Sequence, residues 1–283
     1  MSTGFKQTPQ GDLSASPHRP GNPTCKRCGG SWVVRHGTTR TGTQRLRCKA
    51  CGVTFLDNAA PPRMRYPAET IAAVLQGFYE GATLKEIADG LEVRGEKAPT
   101  LANIHRWIVR FTASAVDAQK DVEALPEPSL AVGDAWVAIE SRIESRAFGG
   151  QPAWSWDVFD SRTGYLLCSQ LFLSRYAGGH NSALGEAERV TGKTPTPTPT
   201  KKVDVAQWES ASETAQRFER YLHTRGRVLA AAHSARIVRL VMAGWRIDYN
   251  LFRPQPELGG LTPAKKAKVN ERFGSWAQVV ALS

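Results

Sequence analysis

The stretch Ala153-Trp154-Ser155-Trp156-Asp157-Val158-Phe159-Asp160, then Ser161-Arg162-Thr163-Gly164, then Tyr165-Leu166-Leu167-Cys168-Ser169-Gln170-Leu171-Phe172-Leu173, predicts strand, hairpin turn and strand. Upstream, Ala135-Trp136-Val137-Ala138-Ile139 is a buried-strand run, which makes three strands in succession. Downstream, the pattern is helical from about Asn181 to Val190 and again from Gln207 to about Tyr249. Between them lies the alternating Thr-Pro stretch 194–200, a low-complexity segment expected to be extended and solvated. Phe252-Arg253-Pro254-Gln255-Pro256 cannot continue the last helix. Strands followed by helices give an α/β class for residues 132–273.

On the N-terminal side, residues 67–112 predict three helices. Pro67 suits a first helical position, and Ile71, Val74, Leu75 and Phe78 follow on one face. Thr83-Leu84-Lys85-Glu86 is a capping box opening the second helix, which buries Ile87 and Leu91. Pro99-Thr100 starts the third, with Ile104, Trp107, Ile108 and Phe111 as its stripe. Two helices joined by a short glycine-containing segment fit a helix-turn-helix over 61–117, with 118–131 as a linker. Its outward positions include Lys85, Thr100, Asn103, His105, Arg106 and Arg110. Asn103 is placed to read a base edge, and Arg106 and Arg110 to hold phosphates or guanine. An ordinary three-helix packing unit is the competing explanation.

Residues 24–60 carry a different signal. Cys25-Lys26-Arg27-Cys28 and Cys48-Lys49-Ala50-Cys51 are two C-x2-C knuckles, each followed by glycine, with nineteen residues between them. Four thiolates at this spacing fit a structural Zn²⁺ in a small zinc ribbon. Two disulfides, or four separate buried thiols, are the alternatives. Residues 1–66 hold eleven Lys/Arg against Asp12 and Asp57, so nine of the chain's eleven net positive charges sit in its first quarter. That footprint fits double-stranded DNA, with Arg35, Arg45 and Arg47 on the ribbon as contacts; a solvated basic surface is the plainer reading. Residues 1–23, rich in Gly, Pro, Ser and Thr, are expected to be a disordered basic tail. The fifth cysteine, Cys168, falls in an apolar strand. No run approaches the ~18–20 apolar residues that span a membrane, and no signal-peptide core is present. A cytoplasmic protein, nucleoid-associated if prokaryotic, with no membrane partner is expected.

Several stretches are similar to the DDE insertion-sequence transposases, relatives of the retroviral integrases. Trp136-Val137-Ala138-Ile139-Glu140-Ser141 resembles that family's W-x-x-D-E-T strand, and 156–167 resembles its D-x-x-T-G hairpin. Ala215-Gln216-Arg217-Phe218-Glu219-Arg220 resembles its E-R-F-H-R helix. Tyr249-Asn250-Leu251-Phe252-Arg253-Pro254 and Leu258-Gly259-Gly260-Leu261-Thr262-Pro263-Ala264 match its Y-N-x-x-R-P and L-x-G-x-T-P-A tail. The resemblance covers most of residues 25–270. It implies an RNase H-like core, duplex DNA such as transposon terminal repeats as partner, a homodimer, and catalysis by three carboxylates holding two Mg²⁺.

This chain departs from that pattern where the chemistry lies. The first acid position falls on Ile139, which cannot bind Mg²⁺, and the third on Gln216, which lacks the charge. Asp204 is the only occupant for the second. Glu140, Asp204 and Glu219 are weak substitutes and read more simply as surface charge. The sequence therefore predicts a DNA-binding transposase derivative without catalysis, with Mg²⁺ needed only if the site works. Two alternatives stay open: an active transposase with relocated acids, and a decayed element or protein-interaction module.

Overall fold

The computed structural model describes residues 23–40, 42–57, 64–123, 132–133, 135–175, 178–194, 213–230 and 232–282. The expected tail before Pro23, the Thr-Pro stretch beyond Thr194, and Asp204 lie outside the described residues. The chain is mixed α/β and forms two compact units, one reaching Pro67 and the other running from Ala68 to Ala281.

The first unit is a three-stranded antiparallel sheet in the order β1 (Val33–Thr38), β2 (Gln44–Cys48), β3 (Thr54–Leu56). Its core is Leu46 and Phe55 with the buried Cys25 and Cys48. So small a core does not hold a domain of this size by burial alone; below ~40 residues a metal or cross-link is usually needed.

The second unit opens with α1 (Ala68–Tyr79), α2 (Leu84–Val93) and α3 (Leu101–Glu123). Every member of the α1 stripe is buried. The capping box forms at α2: Thr83 Oγ1 accepts from the Glu86 amide at 3.2 Å, and Glu86 Oε2 accepts from the Thr83 amide at 2.7 Å. On α3 the stripe Ile104, Ile108, Phe111 does not stop. It continues through Ala115 to Gln119, buried against α6 (Ala235–Ile247). The helix therefore runs to Glu123, through the first half of the expected linker. For the same reason 61–117 and 132–273 do not separate: Ala68–Ala281 is one unit. Gly244 on α6 allows a close approach to α1 and α3: a Cβ there would run into Tyr79 Oη and lie 2.5 Å from Thr112 Cγ2.

The second sheet is an antiparallel meander of β4 (Trp136–Ile143), β5 (Ala153–Asp160) and β6 (Leu166–Phe172). The turn between β5 and β6 is held by Asp160, whose Oδ2 accepts from the Thr163 amide at 2.8 Å and from the Thr163 hydroxyl. Gly164 closes it at φ 70°. Seven of the eight β5 residues are buried, because helices cover both faces. On one face α4 (Gly179–Thr191) meets Trp156. On the other, α5 (Glu213–Ala230) stacks Phe218 on Phe159, with ring centroids 4.1 Å apart.

Arg225 reaches from α5 into this second interface and is 1% exposed. Its Nη1 lies 2.5 Å from Asp157 Oδ1, and its Nη2 donates to Ser155 Oγ at 2.8 Å. Asp157 also accepts from the hydroxyls of Ser155 (3.0 Å) and Ser169 (2.6 Å).

The sequence expects one helical stretch to about Tyr249. The structure breaks it between α5 and α6, where Ser234 Oγ caps α6 by accepting from the Ile237 amide, and ends α6 at Ile247. A π-helical turn, Asp248–Phe252, follows. There Tyr249 donates to the Gly164 carbonyl at 2.8 Å. Asn250 accepts from the Leu166 amide and donates to its carbonyl, at 2.9 and 3.0 Å. The tail is thus pinned to the β5–β6 turn. Among the described residues no helix is long and apolar enough to cross a membrane.

The buried pair gives a test of this packing. Arg225→Met leaves Asp157 buried without its counter-charge and should cost ~3–5 kcal/mol in denaturant unfolding. Adding Asp157→Asn to Arg225→Met should recover part of that loss. A loss in the double variant equal to the sum of the two single-variant losses would contradict a coupled pair.

Candidate metal centre and basic surfaces

The two knuckles are built alike. In the first, the Gly29 amide donates to the Cys25 carbonyl at 2.8 Å; in the second, the Gly52 amide donates to the Cys48 carbonyl at 3.0 Å. Gly29 and Gly52 sit at φ 71° and 72°, a conformation that a Cβ would strain. Each turn directs its two thiols inward. The sulfurs of Cys25 and Cys51 are 3.6 Å apart and those of Cys28 and Cys48 3.7 Å, with all four within 4.8 Å of one another. None is in a disulfide. Zn–S bonds of ~2.3 Å in a tetrahedron place sulfurs ~3.8 Å apart, so the four cysteines can hold a metal ion and the set is compatible with zinc.

The thiols do not ionise alike. Burial pushes the Cys25 thiol up, but hydrogen bonds from the Arg27 and Cys28 amides and from the Cys51 and Cys48 thiols outweigh it, bringing it down to about 7. At Cys28 the Gly30 amide favours the thiolate, yet hydrogen bonding within the set to Cys25, Cys51 and Cys48 pushes it up to about 12. A divalent cation held among the sulfurs would favour the thiolate form of its ligands.

The register of the first sheet sorts the expected DNA contacts. Arg47 lies opposite Val34 and Thr54, and Arg45 opposite Leu56, so both arginines project from one face. Arg35 pairs with Leu46 and belongs to the other face. All three are exposed. Trp32, three residues before Arg35, is 61% exposed.

On the helices, Thr100 is exposed and accepts from the Asn103 amide at 3.3 Å. Asn103 Oδ1 accepts from Arg106, which is exposed on α3, so these two residues share one surface. Arg110 lies over the Phe111 ring at 5.2 Å. Lys85 pairs with Asp89 at 2.6 Å on the exposed side of α2. His105 does not point outward as expected. It is half-buried, its Nε2 has no hydrogen-bond partner among the described residues, and its ring centroid is 6.0 Å from that of His233. Burial, reinforced by His233, pulls its pKa down.

Ile139 is 1% exposed and lies directly opposite Asp157, which is in turn opposite Ser169. Glu140 alternates to the α4 face opposite Trp156. It is not the surface charge expected: it is 5% exposed and paired with Arg175 Nη2 at 3.0 Å. Gln216 and Glu219 belong to α5, but their side chains lie outside the described residues, as does Asp204. Asp157 and Arg225 were missed because nothing in sequence separates a buried charge from a surface one.

Full-length protein should take up one zinc per chain by elemental analysis, and Cys48→Ser should abolish it. Because the ligands must lose protons, uptake should release protons and weaken from about pH 8 to about pH 6. Undiminished uptake by Cys48→Ser would contradict the assignment. No protein-family model matches this chain, and no curated protein matches it.

Proposed function

We propose that this chain is a DNA-binding protein of DDE-transposase descent whose nuclease-type core does not cut DNA. The observation that carries the loss of catalysis is the pairing of Ile139 with Asp157 across β4 and β5. Two-metal strand transfer needs carboxylates free to ligate Mg²⁺. At the first acid position stands a buried aliphatic side chain. The one carboxylate directly beside it in the sheet is occupied by Arg225, Ser155 and Ser169. A guanidinium at 2.5 Å already neutralises that charge and repels a second cation. Glu140 faces the other way and is held by Arg175. Among the described residues the carboxylates beside the first acid position therefore do not fit a Mg²⁺ pair, and no strand-transfer step is derived for them.

The DNA-binding half of the reading rests on charge and placement. The first unit, read as a zinc ribbon, carries most of the net positive charge and sets Arg45 and Arg47 on one exposed face. In the second unit α2 and α3, read as a helix-turn-helix, expose Arg106, with the half-buried Asn103 hydrogen-bonded to it one turn earlier. Duplex DNA with terminal-repeat sequence, bound by a homodimer, is the partner this reading implies. Repression of related elements is the role that fits binding without cutting.

The test is a duplex titration with zinc-loaded and chelated protein across a salt series, with Mg²⁺ present and products run on a denaturing gel. Tight, zinc-dependent binding that weakens with salt, with the DNA intact, is the expected result. Nicked or joined DNA would overturn the loss of catalysis. Absent or salt-insensitive binding would overturn the DNA-binding reading.

A further inference from the structure

A cleft of about 880 Å³ opens between three segments of the second unit. One wall is the β4–β5 connection, another the start of α2, and the third the C-terminal end of α5 with the residues after it. Three guanidinium groups line it, Arg142, Arg146 and Arg227, together with His233. Glu144 is the only carboxylate in the lining, and Glu86 stands at its rim beside Arg227.

The walls are tied to one another, so the cleft is formed in advance. Ser145 Oγ donates to the Ala232 carbonyl at 3.2 Å, joining the hairpin connection to the segment after α5. The turn before α2 lies against α5: a Cβ on Gly81 would sit 3.3 Å from Thr224 Cγ2 and 3.7 Å from Arg227 Cδ. Gly149 and Gly150, at φ 62° and 84°, leave part of the hairpin wall without side chains. A bulky polyanion can approach the backbone there.

The arginines are available at low cost. Arg142 pairs with Glu144 at 3.2 Å and Arg227 with Glu86 at 3.8 Å, but all four side chains are more than half exposed. Exposed pairs of this kind contribute little and exchange readily. Arg146 is exposed, and no ion pair to it is found among the described residues.

We infer that this cleft grips the phosphodiester backbone of duplex DNA, as a second contact surface separate from the Asn103–Arg106 surface of α3. The inference rests on the DNA-binding reading given above. The lining favours backbone over base: apart from the His233 ring it offers no aromatic surface on which a base or a nucleotide ligand would stack. Guanidinium groups from two facing walls, Arg142 and Arg146 on the β4–β5 side and Arg227 on α5, suit phosphate oxygens spaced along a strand, which a planar two-pronged donor recognises well.

The test is fluorescence anisotropy of labelled duplex DNA with the zinc-loaded full chain, measured across a KCl series. Arg146→Gln/Arg227→Gln should weaken binding and lower the log–log salt slope by about 0.9 for each phosphate contact removed. Arg146→Lys/Arg227→Lys should keep the slope. Glu144→Gln should tighten binding, a gain that a misfolded variant would not show. Wild-type affinity and slope in the double glutamine variant would overturn the cleft while leaving DNA binding by the rest of the chain standing. Failure of the wild-type chain to bind duplex at any salt would overturn both. Loss of binding to an acidic peptide with duplex binding unchanged would reassign the cleft and overturn the inference.

Discussion

A guanidinium that is 1% exposed must find a counter-charge where it is buried, and Arg225 finds Asp157. That requirement organises the interior of the larger unit. Asp157 has to face α5, so β5 has its register fixed and Phe159, two residues on, faces α5 as well. Phe159 then stacks on Phe218. Ser155 and Ser169 flank the carboxylate because small hydroxyls can satisfy its remaining lone pairs without filling the space Arg225 needs. Trp245 of α6 lies under the guanidinium at 5.3 Å, and its ring stacks with Tyr249, whose hydroxyl holds the β5–β6 turn. Sheet, α5, α6 and the C-terminal turn are therefore parts of one contact set.

The same set keeps the Asp157 carboxylate occupied. A divalent cation and a guanidinium are rivals for one carboxylate, and here the guanidinium is built into the fold. The cysteine unit shows the converse arrangement. Four sulfurs converge with no cationic side chain inserted among them, and each knuckle amide hydrogen bond draws a thiol toward the same point. One unit solves buried charge with an internal ion pair; the other has the donor set for an ion taken up from solution.

Much of the architecture is legible in the residues. The span Ala153–Asp160 is found as a strand, the Thr83–Glu86 capping box forms, and the α1 stripe is buried. Local chemistry dictates each of these. What was not legible depends on distant partners. The extension of α3 to Glu123 is read correctly only when α6 is known to lie against Ala115 and Gln119. His105 looks like an outward residue on a helical wheel, and only the neighbouring His233 turns that position inward. Glu140 and Asp157 resemble any charged residues in a strand until the covering helices are in place. The cysteine spacing stood out because its ligands are fixed by two short turns. The carboxylates of the sheet did not, because their partners are 35 and 68 residues away.

In the larger unit the Asp157 carboxylate is held by an ion pair with Arg225, which leaves it closed to a metal ion. The most direct measurement is an electron paramagnetic resonance titration of Mn²⁺ into zinc-loaded full-length protein, reading the free aquo ion. The account predicts that Mn²⁺ stays free at low-micromolar concentrations, with no stoichiometric loss of signal. Disappearance of one or two equivalents per chain, abolished by Asp157→Asn, would mean that the carboxylate ligates metal and that its pairing with Arg225 does not close the site.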